Sequence, residues 1–287
     1  MPTPLAITLQ HLLPKKLLTV VMGRLASLRL GAFTHWVIRR FVARYGVDMA
    51  EAAEPRIESY PTFNEFFTRP LRPGVRPLAA APFACPVDGS ISQLGPIARD
   101  QLLQAKGHTY SVRALVGGDA RLAATFEDGR FATLYLSPRD YHRLHMPCEG
   151  RLKRMVYIPG DLFSVNPLTA RHVPGLFARN ERVVCEFECA HGPMVMVLVG
   201  ATIVGSMATV WHGVVNPPRT REPREWRYDG QDIVLAKGAE MGRFLLGSTV
   251  VLLFPKDVLA FAPDWAPERP VRMGEAMATA AGARPGA

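Results

Sequence analysis

Four side chains in this sequence are of types that could do nucleophilic chemistry together. Ser248 lies in Phe244-Leu245-Leu246-Gly247-Ser248-Thr249-Val250-Val251, a polar Gly-Ser-Thr between two apolar runs. Read alone, that segment is a turn joining two strands. A serine hydroxyl is a weak nucleophile at neutral pH and needs a base, which in turn needs an orienting group. Two candidate bases, His142 and His145, stand three apart in YLSPRDYHRLHMP, residues 135–147. A candidate acid, Asp88, occupies the tight turn Pro86-Val87-Asp88-Gly89. Each also has an ordinary reading: a turn serine, a pair of surface or core histidines, and an aspartate closing its own turn. The histidine spacing could suit a metal on a helix, but no Cys, His or Glu partners follow at ligand spacing, so no metal site is expected.

Taken together, the Gly-Ser-Thr segment, the His-bearing block and the PVDG turn closely resemble the phosphatidylserine decarboxylases of the bacterial type. FNEFFTRPLRPGVRP (63–77) and PGDLFSVNPLTA (159–170) look like the same family, and the similarity runs from about residue 55 to 262. The resemblance implies a chain that cuts itself between Gly247 and Ser248 and turns Ser248 into a pyruvoyl group. Decarboxylating an α-amino acid leaves a carbanion that needs an electron sink, and a peptide has none of its own. A pyruvoyl group supplies one from the chain itself. By the resemblance His145 is the base for self-cleavage, Asp88 holds its ring, and His142 serves decarboxylation. An Asp…His…Ser order is one of several that such triads adopt. Ser164, inside PGDLFSVNPLTA, is taken as a substrate contact. Glycine at 247 leaves the attacked carbonyl uncrowded and tolerates strained backbone. The implied protein is two non-covalently held chains, 1–247 and 248–287, pairing further as a homodimer, with no added cofactor. It converts phosphatidylserine to phosphatidylethanolamine and carbon dioxide at a membrane.

These residues need a scaffold, and the sequence patterns one. Residues 1–55 read as helical. After Pro14, Lys15 to Leu28 puts Leu17, Leu18, Val21, Met22, Leu25 and Leu28 on one arc and Lys15, Lys16, Thr19, Arg24 and Ser27 opposite. Such a basic amphipathic helix suits either a membrane interface or packing on the protein's own core, and the charge favours the membrane. Residues 56–80 read as a helix between Pro-rich connectors. From Cys85 onward, short apolar runs alternate with Gly/Pro/Asp/Asn turns, so the fold expected over 56–265 is an α+β, β-rich, barrel-like catalytic domain behind the helical segment. Residues 266–287, rich in Ala, Gly and Pro, read as a flexible tail.

Composition bounds the partners. The formal net charge is +9, yet residues 1–50 hold seven Lys/Arg against Asp48 alone, so the excess is local. That favours an anionic partner for the N-terminus. Acidic membrane lipid, at the cytoplasmic face, fits better than nucleic acid, because no nucleic-acid motif or aromatic-interleaved basic sheet is present. Gly192 to Trp211 carries no charge over a length that could span a bilayer. Its glycines, hydroxyl residues and valines point instead to two buried strands meeting near Gly200. Cys85, Cys148, Cys185 and Cys189 form no paired metal pattern and read as reduced, buried thiols. Two rival readings remain: a pyruvoyl decarboxylase of a soluble amino acid, which the amphipathic helix disfavours, and a non-catalytic barrel-like binding module.

Overall fold

The computed structural model describes residues 4–202, 206–217, 219–246 and 248–281. Three helices open the chain: α1 (Leu5–Leu12), α2 (Lys15–Ala26) and α3 (Ala32–Tyr45), the last closed by Gly46 in the left-handed conformation at φ 67°. Residues 56–80 form much less helix than their pattern suggests. One short α4 (Phe63–Phe67) remains, capped by the Thr62 hydroxyl on the Glu65 N–H at 3.1 Å. Pro61, Pro70, Pro73 and Pro77 surround it and stop any longer helix.

From residue 83 the chain is dominated by strands. In order they are β1 (Phe83–Ala84), β2 (Gly89–Pro96), β3 (Gln101–Ala105), β4 (His108–Ser111), β5 (Arg130–Leu136), β6 (Arg143–His145), β7 (Gly150–Ile158), β8 (Arg182–Cys189) and β9 (Gly192–Val199). They continue as β10 (Met207–Thr209), β11 (Gly213–Val214), β12 (Arg224–Arg227), β13 (Val234–Leu235), β14 (Glu240–Phe244), β15 (Ser248–Phe254), β16 (Leu259–Phe261), β17 (Pro270–Val271) and β18 (Ala276–Ala280). The largest sheet has nine strands and runs β12-β7-β8-β9-β15-β5-β2-β17, with β13 also on β7. A four-stranded sheet runs β11-β10-β14-β6. The α+β class is as expected. The barrel-like expectation stops short of closure, since the two ends of the long sheet do not pair among the described residues.

Alternation explains why β15 reads as an unbroken apolar run. Val250, Leu252 and Phe254 enter one hydrophobic core with Ile91, Leu134 and Met196, whereas Val251 and Leu253 enter a second with Val184, Val195 and Val197. A strand covered on both faces has no polar side to show. The uncharged stretch 192–211 resolves in the same way, into buried β9 and β10; Ile203, Val204 and Gly205 between them lie outside the described residues.

The end of the chain departs from its pattern. A flexible tail was expected from 266, yet β17 pairs with β2, and β18 lies between β1 and β16 with Met277 and Ala278 buried. Small residues carry little local strand signal. These are held by partners far away in sequence.

A third hydrophobic cluster joins α2, α3 and α4 through Ala26, Ile38, Phe66 and Phe67. The apolar arc of α2 does not serve it. Thr19 is fully buried against the body, whereas Leu17 is 62% and Leu25 49% exposed. Leu5, Leu12, Phe33 and Trp36 are exposed as well. No single helix among the described residues is long and apolar enough to cross a membrane, and α1 and α2 meet at 85°.

Candidate active site

Ser248 is the first residue of β15, opposite Leu136 of β5, and it is buried. Its Oγ has no hydrogen-bond partner among the described residues. Thr133, Ser206 and Thr249 have buried hydroxyls in the same state, so what sets Ser248 apart is its place beside a strained backbone and a cavity. Gly247 lies outside the described residues, but the residue before it is informative. Leu246 has φ 150°, a value L-residues rarely adopt, and its side chain is clamped in the third cluster with Phe66 and Phe67. Such a conformation costs roughly 1–3 kcal/mol and persists only where packing enforces it. The N-terminal helices therefore grip the segment that leads into Ser248.

Ser248 and Leu246 line a cavity of about 220 Å³ together with Ser164, Phe67, Tyr135 and Tyr45. The Ser164 N–H donates to Gln10 Oε1 of α1 at 2.9 Å, which ties the helical segment to the cavity wall.

His142 is fully buried behind this cavity, its ring 4.1 Å from that of Phe67. Its Nδ1 lies 2.7 Å from the Asp140 carbonyl. A carbonyl only accepts, so Nδ1 carries the proton and Nε2 holds the lone pair. That Nε2 is buried without a partner. Burial pushes the ring down from the ordinary histidine value to about 3, so it is neutral at physiological pH.

His145 has a different environment. Its Nδ1 donates to the Gly238 carbonyl at 2.8 Å, leaving Nε2 to accept from the Tyr141 hydroxyl at 3.0 Å. Burial lowers its pKa as well, and burial raises that of Tyr141, so both stay neutral.

Asp88 does not hold the His145 ring directly. Its carboxylate receives the Arg76 guanidinium at 2.5–3.2 Å and the Met273 N–H at 2.8 Å. Arg76 also binds Glu51, at 2.6 and 3.0 Å, and that hydrogen bonding lowers the Glu51 carboxyl. A buried two-pronged guanidinium wins the carboxylate because it satisfies both oxygens. Gly89 sets the position of this turn: a Cβ there would stand 2.2 Å from the Tyr135 carbonyl oxygen, so only glycine lets β2 lie this close to β5. Because β2 and β15 flank β5, Asp88 and Ser248 stand about two strand spacings, roughly 10 Å, apart.

The structure therefore places Ser248 with Ser164 and, through Phe67, with His142. His145 and Asp88 stand in a neighbouring polar layer. Tyr141 and Arg76, which complete that layer, were not singled out in the sequence, although both lie inside the quoted family segments. Their signal is contact, which spacing does not carry. Among the described residues no group of His, Cys, Asp and Glu is placed to hold a metal ion.

Known proteins resemble this chain along nearly its whole length. The family model described as phosphatidylserine decarboxylase matches residues 63–279, and a second, described as PSD, matches residues 5–46. A protein of Variovorax paradoxus (strain S110) is 70% identical over 96% of this chain and 98% of its own length. One of Acidovorax ebreus (strain TPSY) is 69% identical over 96% and 97%, and one of Dechloromonas aromatica (strain RCB) 68% over 95% and 97%. All three carry the name phosphatidylserine decarboxylase proenzyme. With matches of this extent over both the helical segment and the sheet, the chain belongs to the phosphatidylserine decarboxylase family.

Proposed function

We propose that this chain is a self-processing decarboxylase that converts phosphatidylserine to phosphatidylethanolamine and carbon dioxide at a membrane surface. The observation that carries the reading is Ser248: a buried hydroxyl without a partner among the described residues, two positions after the strained Leu246, lining a cavity. Ser248 Oγ attacks the Gly247 carbonyl, and the amide becomes an ester. Loss of the Ser248 α-proton then expels the Gly247 carboxylate to leave a dehydroalanine, and hydrolysis of its imine form by water releases ammonia and leaves a pyruvoyl group at the head of the 248–287 chain. That group supplies the electron sink for decarboxylation. The site fits it, since the position is buried, closely walled and free of competing hydrogen bonds.

The two histidines divide the proton work. In the free enzyme Nε2 of His142 is a bare lone pair, so it accepts before it donates. The substrate amine arrives as an ammonium and must lose a proton; His142 takes it there and returns it to the α-carbon after carbon dioxide leaves. His145 serves self-cleavage, with Tyr141 donating to its Nε2 and Asp88 setting the field of that layer. His145→Ala is expected to slow cleavage by about 10²–10⁴, as loss of a general base does. Asp88→Asn should slow it too and lower the melting temperature, because Arg76 loses half of its buried pairing. Time courses of intact mass and thermal melts check both; His145→Ala maturing at the wild-type rate would return His145 to a structural role.

Residues 4–45 supply the membrane contact. Their exposed leucines, Phe33 and Trp36 form an apolar surface among basic residues, suited to lie in the interface of an anionic leaflet such as the cytoplasmic one. Full transfer of a leucine is worth roughly 1.5–3 kcal/mol. Changing Leu17 and Leu25 to Glu should therefore weaken binding to anionic vesicles by more than about tenfold, and salt should weaken the wild type. Equal vesicle sedimentation by the double variant would refute the contact. The mature unit is two non-covalent chains, and by family resemblance these pair as a homodimer. Intact-mass measurement of active protein tests the core proposal. Two masses split at 247/248, with a blocked second chain, are expected; a single uncut mass in a preparation that releases carbon dioxide from phosphatidylserine would defeat it.

A further inference from the structure

Arg69 follows α4 and is 4% exposed. No carboxylate lies within ion-pair distance of it among the described residues. Its hydrogen bonds are two long ones, both 3.4 Å, to the carbonyls of Phe66 and Arg139, and its Nε is buried with no acceptor. The other buried arginines are treated differently. Arg182 donates to three carbonyls at 2.6–2.9 Å, and Arg76 holds two carboxylates. A guanidinium keeps its charge in proteins, and a buried charge without a counter-ion is costly. A fold that leaves one underpaired has left room for an anion.

The surroundings show where the anion would sit. Arg69 lines a cavity of about 270 Å³ with Asp88, Arg139, Asp140 and Tyr141. The four acids there are already engaged: Asp88 and Glu51 by Arg76, Asp140 by the N–H and hydroxyl of Ser137 at 2.7 and 2.8 Å, and Asp48 by the Ala50 N–H. Phe67, two residues before Arg69, packs on His142 and walls the Ser248 cavity. Arg69 donates to the Arg139 carbonyl and His142 Nδ1 to that of the next residue, Asp140, so the two lie near each other.

We propose that Arg69 anchors the substrate by its phosphodiester, donating to a phosphate oxygen of the phospholipid headgroup. This rests on the decarboxylase reading above. The substrate's carboxylate is the poorer partner. It must give up its charge in the reaction, and a cation gripping it would stabilise the ground state. The phosphodiester stays anionic throughout, so holding it is uniform binding, which is felt in KM.

The test uses mature wild-type protein, Arg69→Gln and Arg69→Lys, with cleavage confirmed by intact mass. KM for phosphatidylserine in mixed micelles should rise about 10–100-fold in Arg69→Gln, the span of a lost charge-assisted bond, with the larger share of the loss in KM and not kcat. Arg69→Lys, which keeps charge but loses the fork, should fall between. Independently of turnover, sn-glycero-3-phosphoethanolamine should raise the wild-type melting temperature, ethanolamine should not, and Arg69→Gln should lose the effect. Stabilisation by inorganic phosphate without stabilisation by glycerophosphoethanolamine would show a free-phosphate site and overturn the lipid assignment. A fall in kcat alone would overturn it too, leaving Arg69 to pin the Arg139 turn. If Arg69→Gln fails to fold or mature, the lysine variant and the wild-type melts decide, and a wild type that neither phosphate probe stabilises overturns the anchor. Should the wild type release no carbon dioxide while the Arg69-dependent melting shift persists, the decarboxylase reading fails and the anion site stands.

Discussion

Ser248→Ala protein is expected to remain one uncut chain with no decarboxylase activity, while folding as well as the wild type. The loss is total because both events depend on one atom. Without Oγ there is no nucleophile for the Gly247 carbonyl, and without cleavage there is no electron sink. Stability should survive for a reason visible in the structure: the hydroxyl is buried and makes no hydrogen bond among the described residues, so removing it forfeits none of these and relieves an unpaired polar group. A melting temperature equal to or above that of the wild type, with a single intact mass, is the expected result. Two chains cut at 247/248 in this variant would sink the assignment of Ser248.

His142→Ala is expected to separate the two activities. Self-cleavage occurs once, and the groups proposed for it are bonded elsewhere: His145 to Tyr141 and Gly238, and Asp88 to Arg76 and Met273. Decarboxylation recurs every cycle and needs a proton carrier beside the Ser248 cavity. His142 is the neutral imidazole there, with Nδ1 fixed on the Asp140 carbonyl and Nε2 left open. The variant should mature to two chains and lose about 10²–10⁴ of its turnover. The pH profile adds a check with a definite sign. A histidine held near 3 stays deprotonated through the ordinary 6.5, so His142 should put no limb near pH 6.5 into the kcat/KM of the wild type. Full cleavage with wild-type turnover would remove His142 from the reaction; failure to cleave would merge its role with that of His145.

The proposed nucleophile, both histidines and the acid stand out in the sequence because they sit in local, recognisable segments. Their wiring was not legible. Asp88 is bound by Arg76, 12 residues away, and by the backbone of Met273, 185 away, and no spacing rule reaches that far. The neutral state of the His142 ring was no more legible: only the assembled fold shows that Phe67 and its neighbours strip water from it. Periodicity correctly gave α2 an apolar arc, but a period cannot say what the arc meets. Its outward turn is decided by Thr19 and Ala26, the small residues that pack inward. In the last residues the error ran the other way, since Ala and Thr of β18 look unstructured until β1 and β16 flank them.

The central place of β15 changes the molecularity of unfolding once its first residue becomes a chain end. The strand is hydrogen-bonded on one side to β9 and on the other to β5, so the proposed cut at 247/248 would leave the short chain threaded through the middle of the long sheet and not on its rim. While folded, the cut piece has no route out that spares the sheet. Once unfolded, it becomes a free solute that must find its partner again by collision. The uncut chain should therefore refold from denaturant at a rate independent of dilution, whereas the cut protein should recover more poorly the more dilute it is. Maturation would in this way trade a reversible fold for a persistent one, whose lifetime is set by how slowly the sheet opens.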